Sequence, residues 1–182
     1  MQADRIVNDL FVALRFYSRL PLPALAREEA PFAVPSLKRI AYAIPLAGAV
    51  IGFVGGACLL LATLLGLPSL LSAILAVSAL VLVTGAFHED GLADTADGFG
   101  GGRDRDSKLL IMRDSRIGSY GGAALCLSLL MRVGVLDGLL HAAGAGVTLI
   151  LLVAAGAANL KVTWPEDMKL AELILRTREA SP

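Results

Sequence analysis

Residues 40–87 read IAYAIPLAGAVIGFVGGACLLLATLLGLPSLLSAILAVSALVLVTGAF, 48 positions without one charged side chain. A helix needs roughly 20 predominantly apolar residues to cross a bilayer, so the run is long enough for two crossings. Gly66-Leu67-Pro68 breaks it near its middle and predicts a tight turn between spans at about 41–65 and 69–87. A second apolar block, Ile117 to Ala158, is interrupted only by Arg132, Asp137 and His141. The Asp137-Gly138 pair reads as a turn and divides this block into spans at about 117–136 and 138–158. The expectation is an all-α, polytopic transmembrane helical bundle of about four spans.

Composition agrees with that reading: 56% of the 182 residues are hydrophobic and 18% are charged, against about 25% charged in an ordinary soluble domain. The net charge is zero, and no nucleic-acid partner is expected. The placement of the 16 Lys and Arg residues is more informative than their sum. Fifteen fall before the first span, between the second and third, or after the fourth; only Arg132 falls toward the other side, where its long stem could snorkel to the headgroups. By the positive-inside rule both termini and the loop 88–116 are expected in the cytoplasm, at a cell inner membrane. Cys58 and Cys126 sit inside expected spans and read as small apolar fillers.

Ahead of the spans, Ile6, Val7, Leu10, Phe11, Leu14 and Tyr17 recur at helical spacing, with Asp4, Arg5, Asp9, Arg15 and Arg19 at polar positions. This predicts an interfacial amphipathic helix over residues 4–20, stopped by Pro21-Leu22-Pro23. The same charges leave no uninterrupted apolar stretch for a signal peptide. A linker with Pro31 and Pro35 follows. Beyond the spans, residues 159–182 form a charged tail in which Pro165-Glu166-Asp167 resembles a helix start, closed by Arg176 and Arg178.

The chemistry concentrates in loop 88–116. If His88-Glu89-Asp90-Gly91-Leu92-Ala93-Asp94-Thr95-Ala96-Asp97-Gly98 continues the second span as a helix, Asp90, Asp94 and Asp97 share one face. Three carboxylates so close repel one another unless a cation lies among them. Mg²⁺ takes one or two carboxylates together with substrate phosphates, so this face is a candidate Mg²⁺–diphosphate site. A solvated interfacial loop is the bland alternative. His88 points away and reads as structural. Gly100-Gly101-Gly102 offers a flexible, anion-approachable backbone, and Arg103, Arg105, Lys108, Arg113 and Arg116 follow it as headgroup anchors or a phosphate clamp. Asp106 is a reasonable N-cap for a helix through Met112. Asp114 and Arg116 then enter the third span, where unpaired charge would be costly.

HEDGLADTADG at 88–98, the glycines after it, and MRDSRIGSYG at 112–121 resemble the adenosylcobinamide-GDP ribazoletransferases, or cobalamin synthases. So do ALRFYSRLPLP at 13–23, with Ser18 where Thr is usual, and Pro45 followed by Gly48, Gly52 and Gly55. The resemblance covers roughly residues 10–158. It implies the last assembly step of vitamin B12: adenosylcobinamide-GDP is joined to α-ribazole, or its 5′-phosphate, and GMP is released with Mg²⁺ as cofactor. It further implies that Asp90, Asp94 and Asp97 hold the metal, beside Gly100, Gly101 and Arg103 as candidate cofactor-binding residues. Asp114 would be a further ligand or the base, and Arg116 would offset charge on the departing GMP. The family's pattern continues through more apolar spans, whereas here it stops near Ala158. The tail therefore reads as lying outside the pattern of a C-terminally truncated member with weak or no transferase activity. A Mg²⁺-dependent phosphotransferase of the CDP-alcohol type and an inactive fragment stand as alternatives, and a homo-oligomer is left open.

Overall fold

A computed structural model describes residues 2–25 and 34–158. The tail 159–182, with its expected helix start at Pro165, and the linker around Arg27 and Pro31 lie outside the described residues. Every regular element described is helical: α1 Gln2–Tyr17, α2 Leu37–Ile40 leading through a 3₁₀ turn at Ala41–Ala43, α3 Ile44–Leu64, α4 Ser69–Thr84, α5 Phe87–Gly101, α6 Arg105–Met112 and α7 Ser119–Ala158. Leu37–Leu64 and Ser119–Ala155 are long and apolar enough to cross a membrane, and α4 with α5 makes a third candidate if that bent pair is one crossing. The chain is a helical membrane protein.

The expected turn at Gly66-Leu67-Pro68 is present. Gly66 takes φ +78, and Pro68 stands immediately before α4. The expected turn at Asp137-Gly138 is not. The helix passes straight through that pair, with the Asp137 carbonyl and Nδ1 of His141 2.8 Å apart one turn on. The break falls at Gly144 (φ 78, ψ 169), a region open to glycine and strained for other residues. Contacts on either side show that the chain reverses there. On the way out, Arg132 meets Glu89, Leu136 packs with Leu59 and Val77, and His141 lies against Ser69. On the way back, Leu149 lies against Gly56 and Leu152 against Gly52, nearer the start of α3. The third and fourth expected spans are thus the two arms of α7, joined at Gly144.

Lipid tails are as apolar as leucine, so close backbone packing rather than water exclusion must hold such helices together. Gly52 and Gly56, one turn apart on α3, accept the returning arm of α7; a Cβ on Gly52 would lie 3.1 Å from Cα of Val153 and run into the Leu152 carbonyl. Gly55 faces α4, where Leu80 fills the space a side chain would need.

The expected N-terminal amphipathic helix is present as α1. It docks on the bundle, burying Ala13, Leu14 and Tyr17 against Ile40, Ala43, Ile44 and Ala47. Asp9, expected on the polar face, is wholly buried. Its Oδ1 accepts from Nη2 of Arg39 at 3.1 Å and its Oδ2 from the Tyr42 hydroxyl at 2.6 Å. These partners compensate the loss of water that burying a carboxylate entails.

Candidate functional site

The site is built on α5, which does not continue α4. The two helices meet at 87°, with Gly85 (φ 62) and Ala86 (φ 59) both in the left-handed region. For Ala86 that conformation costs about 1–2 kcal/mol, and its surroundings hold it there. The Arg19 backbone N–H donates to the Val83 carbonyl at 2.7 Å, and the Arg19 side chain lies across Gly85, where a Cβ would meet Nε at 2.5 Å. Phe87 closes the corner with edge contacts to Phe16 and Tyr17, both at centroid distances of 5.8 Å.

Along α5 the three expected metal ligands have three different settings. Asp90 is exposed and Asp94 half-buried. Asp97 is buried, and both of its oxygens are used: Oδ2 accepts from the Gly118 N–H at 2.7 Å and Oδ1 from the Gly121 N–H at 2.8 Å. Gly118 stands immediately before α7 and Gly121 lies in its first turn, where the donors have no partners within the helix. Asp97 therefore caps a neighbouring helix, and its negative charge sits at the positive end of the α7 dipole. Gly118 and Gly121 make the approach feasible, since a Cβ on either would strike the carboxylate. The expected face is present as a rotation about α5. It is not a cluster of three free carboxylates: among the described residues no group of three or more His, Cys, Asp or Glu side chains is placed to hold a metal ion.

The glycines also differ from the expected flexible loop. Gly100 and Gly101 are the last residues of α5, so their N–H groups belong to the helix ladder rather than pointing at an anion. Their smallness serves packing. A Cβ on Gly98 would lie 2.7 Å from Cγ of Met112, and one on Gly100 2.7 Å from Cδ1 of Tyr120. Arg103 is exposed between α5 and α6. The α6 cap is Asp104 rather than Asp106. Its Oδ1 accepts from the Ser107 N–H at 2.8 Å while the Ser107 hydroxyl faces the Asp104 N–H at 3.1 Å, a reciprocal capping box. These bonds, the Ser107 N–H first, hold the Asp104 carboxyl below its ordinary range.

Asp114 and Arg116 are brought together, but chiefly with each other. Arg116 donates from Nε to both carboxylate oxygens at 3.1 Å and from Nη2 to Oδ2 at 2.6 Å. The guanidinium lowers the Asp114 pKa, which makes Asp114 a weaker base than an ordinary aspartate. Arg116 remains exposed.

Sequence reasoning missed one pair. Glu89 is 8% exposed, and its Oε1 meets Nη1 of Arg132 at 2.8 Å. Arg132 does not snorkel to a far headgroup layer; it reaches back to α5. The signal was present, because a lone arginine in an apolar span calls for a partner and Glu89 stands beside Asp90. Both residues line a cavity of about 770 Å³ between α3, α4, α5 and the two arms of α7.

A family model for cobalamin-5-phosphate synthase matches residues 9–165, which take in every residue of this site. The chain belongs to that family. Among curated relatives, the adenosylcobinamide-GDP ribazoletransferase of Xanthobacter autotrophicus is 67% identical over 144 residues, covering 79% of this chain and 54% of the relative. That of Azorhizobium caulinodans is 63% identical, covering 85% and 58%, and that of Brucella anthropi 44% identical, covering 87% and 60%. The chain thus spans little more than half the length of these relatives. No solved structure matches it.

Proposed function

We propose that the chain carries the transfer chemistry for which its relatives are named: adenosylcobinamide-GDP is joined to α-ribazole, or its 5′-phosphate, and GMP leaves. The observation behind this reading is that Asp90 and Asp94, one helical turn apart in the first half of α5, and the basic residues around α6 all fall inside the segment the family model matches. The residues fit Mg²⁺ in the way that ion prefers, through two carboxylates with substrate phosphates completing the shell. Asp90 and Asp94 would hold it; Asp97, with both oxygens occupied by backbone amides, would not. Bound there, the ion would neutralise charge on the diphosphate, which is most of what phosphoryl transfer requires. Arg103 and Arg116 supply further positive charge, and Asp114 orients Arg116 rather than taking a proton.

Two readouts test this in nanodiscs. Mn²⁺ binding followed by electron paramagnetic resonance should weaken at least tenfold in Asp94→Asn. GMP release from adenosylcobinamide-GDP should require both α-ribazole and Mg²⁺ and fall by a similar factor in that variant. Unchanged Mn²⁺ affinity would remove the metal role, and no α-ribazole-dependent GMP release from the unsubstituted chain would remove the transfer reading.

The α5–α6 end is proposed to face the cytoplasm, since the basic residues cluster there. Cysteines replacing Ser107 on α6 and Asp137 near the far end of the first arm of α7, in a background without Cys58 and Cys126, should label from opposite sides of the membrane. Labelling from one side refutes this topology.

A further inference from the structure

α6 sits where the apolar span of α7 begins. The end of α5 fixes its level: Met112, closing α6, packs on Gly98, and Tyr120, in the first turn of α7, packs on Gly100. Ser119 opens a stretch long and apolar enough to cross a membrane, so α6 stands at the height of a membrane–water boundary. Lys108, Ile111 and Met112 mark the side of α6 turned to α5, against Gly102, Gly101 and Gly98. At 100° per residue the opposite side carries Leu110, Asp106 and Arg113, flanked by Leu109 and Arg105. Leu110 is 73% exposed there, and Ile117, in the link to α7, is 66% exposed.

Charge decides what meets that side. Residues 103–113 carry Arg103, Arg105, Lys108 and Arg113 against Asp104 and Asp106, a surplus of two positive charges. Lys108 lies over the Phe99 ring, 4.7 Å from its centroid. Among the described residues no ion pair or hydrogen bond engages the Arg103, Arg105 or Arg113 guanidinium. Free arginine heads beside exposed leucines are the composition of a helix lying in a lipid interface, stems along the apolar layer and heads among the phosphates. A soluble anion would use the arginines and leave the leucines in water. An apolar partner would use the leucines and strand the arginines. We propose that α6 lies on an anionic phospholipid leaflet, with Leu109 and Leu110 at the acyl boundary and Arg105 and Arg113 on headgroup phosphates. Lipid then holds α6 from outside as α5 holds it from inside.

A basic residue near an anionic surface strengthens the attraction about fivefold, so a surplus of two predicts about twentyfold. A two-turn helix has little stability of its own, and its amide exchange reports how firmly it is held. The test compares exchange over residues 105–113 of the full chain in nanodiscs of phosphatidylcholine alone and of phosphatidylcholine with one third phosphatidylglycerol. Exchange should be about twentyfold slower in the anionic discs at low salt, and the difference should shrink at high salt. Arg105→Gln/Arg113→Gln removes the surplus and should abolish the difference. Arg105→Lys/Arg113→Lys keeps the charge and should keep most of it, which leaves the test decisive where the Gln pair disturbs the fold. Leu109→Ser/Leu110→Ser should quicken exchange in both lipids, with residues 118–122 unaffected. Equal exchange of the unsubstituted chain in the two lipids, as for a side that meets water or a protein, would overturn the proposal. So would a difference that survives in the Gln pair. Equal slowing by inorganic phosphate in phosphatidylcholine discs would overturn it too, in favour of a site for free anions.

Discussion

Asp97 separates two accounts of the same aspartate, a metal ligand or a cap on the start of α7. Its oxygens accept from the Gly118 and Gly121 amides at 2.7 and 2.8 Å, at a residue 8% exposed. A hydrogen bond to a charged group contributes about 1.5–3 kcal/mol. At the lower figure, removing both in Asp97→Ala costs the first turn of α7 about 3 kcal/mol. Asn keeps one acceptor oxygen and puts an amide donor where the other N–H points, so it should cost about half as much. At 1.4 kcal/mol per tenfold, amide exchange over residues 118–122 should quicken about tenfold in Asp97→Asn and about a hundredfold in Asp97→Ala. Exchange mass spectrometry in nanodiscs, with Mg²⁺ chelated, reads this directly. The order Asp, Asn, Ala should be the same with Mg²⁺ restored. Equal exchange in all three without Mg²⁺, with differences only when the ion is added, would refute the cap and return Asp97 to the metal.

The reversal at Gly144 predicts opposite effects at two glycines. Gly144→Ala forces a side chain into φ +78 and should destabilise by about 1–3 kcal/mol, while Gly138→Ala, helical and with open space around it, should stabilise by about 0.5–1 kcal/mol; thermal unfolding in detergent reads both, and the reverse order would restore a turn at Asp137-Gly138. The Arg116 guanidinium depresses the Asp114 pKa, so the ordering of loop 113–118 is fully present above the ordinary aspartate range and is lost only as pH falls through the lowered value. Exchange over that loop should therefore stay protected, after correction for intrinsic rates, at a pH where free aspartate is half-protonated, and loss of protection within the ordinary range would contradict the pair.

The long apolar runs declared the helices because a bilayer leaves few alternatives to them. What they could not declare is which glycine reverses the chain. Asp137-Gly138 has the local chemistry of a turn, but His141 one turn later closes on the Asp137 carbonyl and keeps the pair helical; Gly144, flanked only by small residues, carried no comparable signal. Periodicity likewise gave the shared rotation of Asp90, Asp94 and Asp97 about α5. Rotation does not say what lies opposite at each level along the axis, and the start of α7 lands at the level of Asp97 alone. The amphipathic pattern of α1 found a helix with one buried face, yet lipid and protein bury such a face equally well. The packing of Ala13, Leu14 and Tyr17 on the bundle, with Asp9 meeting Arg39 and Tyr42 beside it, shows that protein buries part of that face here.

The two motif blocks also make sense together once α5 and α7 are seen side by side. Asp97 near the end of α5 holds the start of α7, while Glu89 near the start of α5 holds Arg132 farther along it. The helices run antiparallel and are tied at both ends of their contact by carboxylates from one and donors from the other. Between the ties lies Ala93, buried, and a Cβ on Gly121 would stand 2.9 Å from its carbonyl, so the backbones approach too closely for sliding without loss of both ties. A helix pinned in this way fixes the height of Asp90 and Asp94 along α7. Such fixing matters for any reaction in which those carboxylates take part, because a misplacement of about 1 Å costs on the order of a hundredfold in rate. The 87° corner at Gly85-Ala86 serves the same end. Had α5 continued α4 straight on, it would not have met α7 at both Asp97 and Glu89.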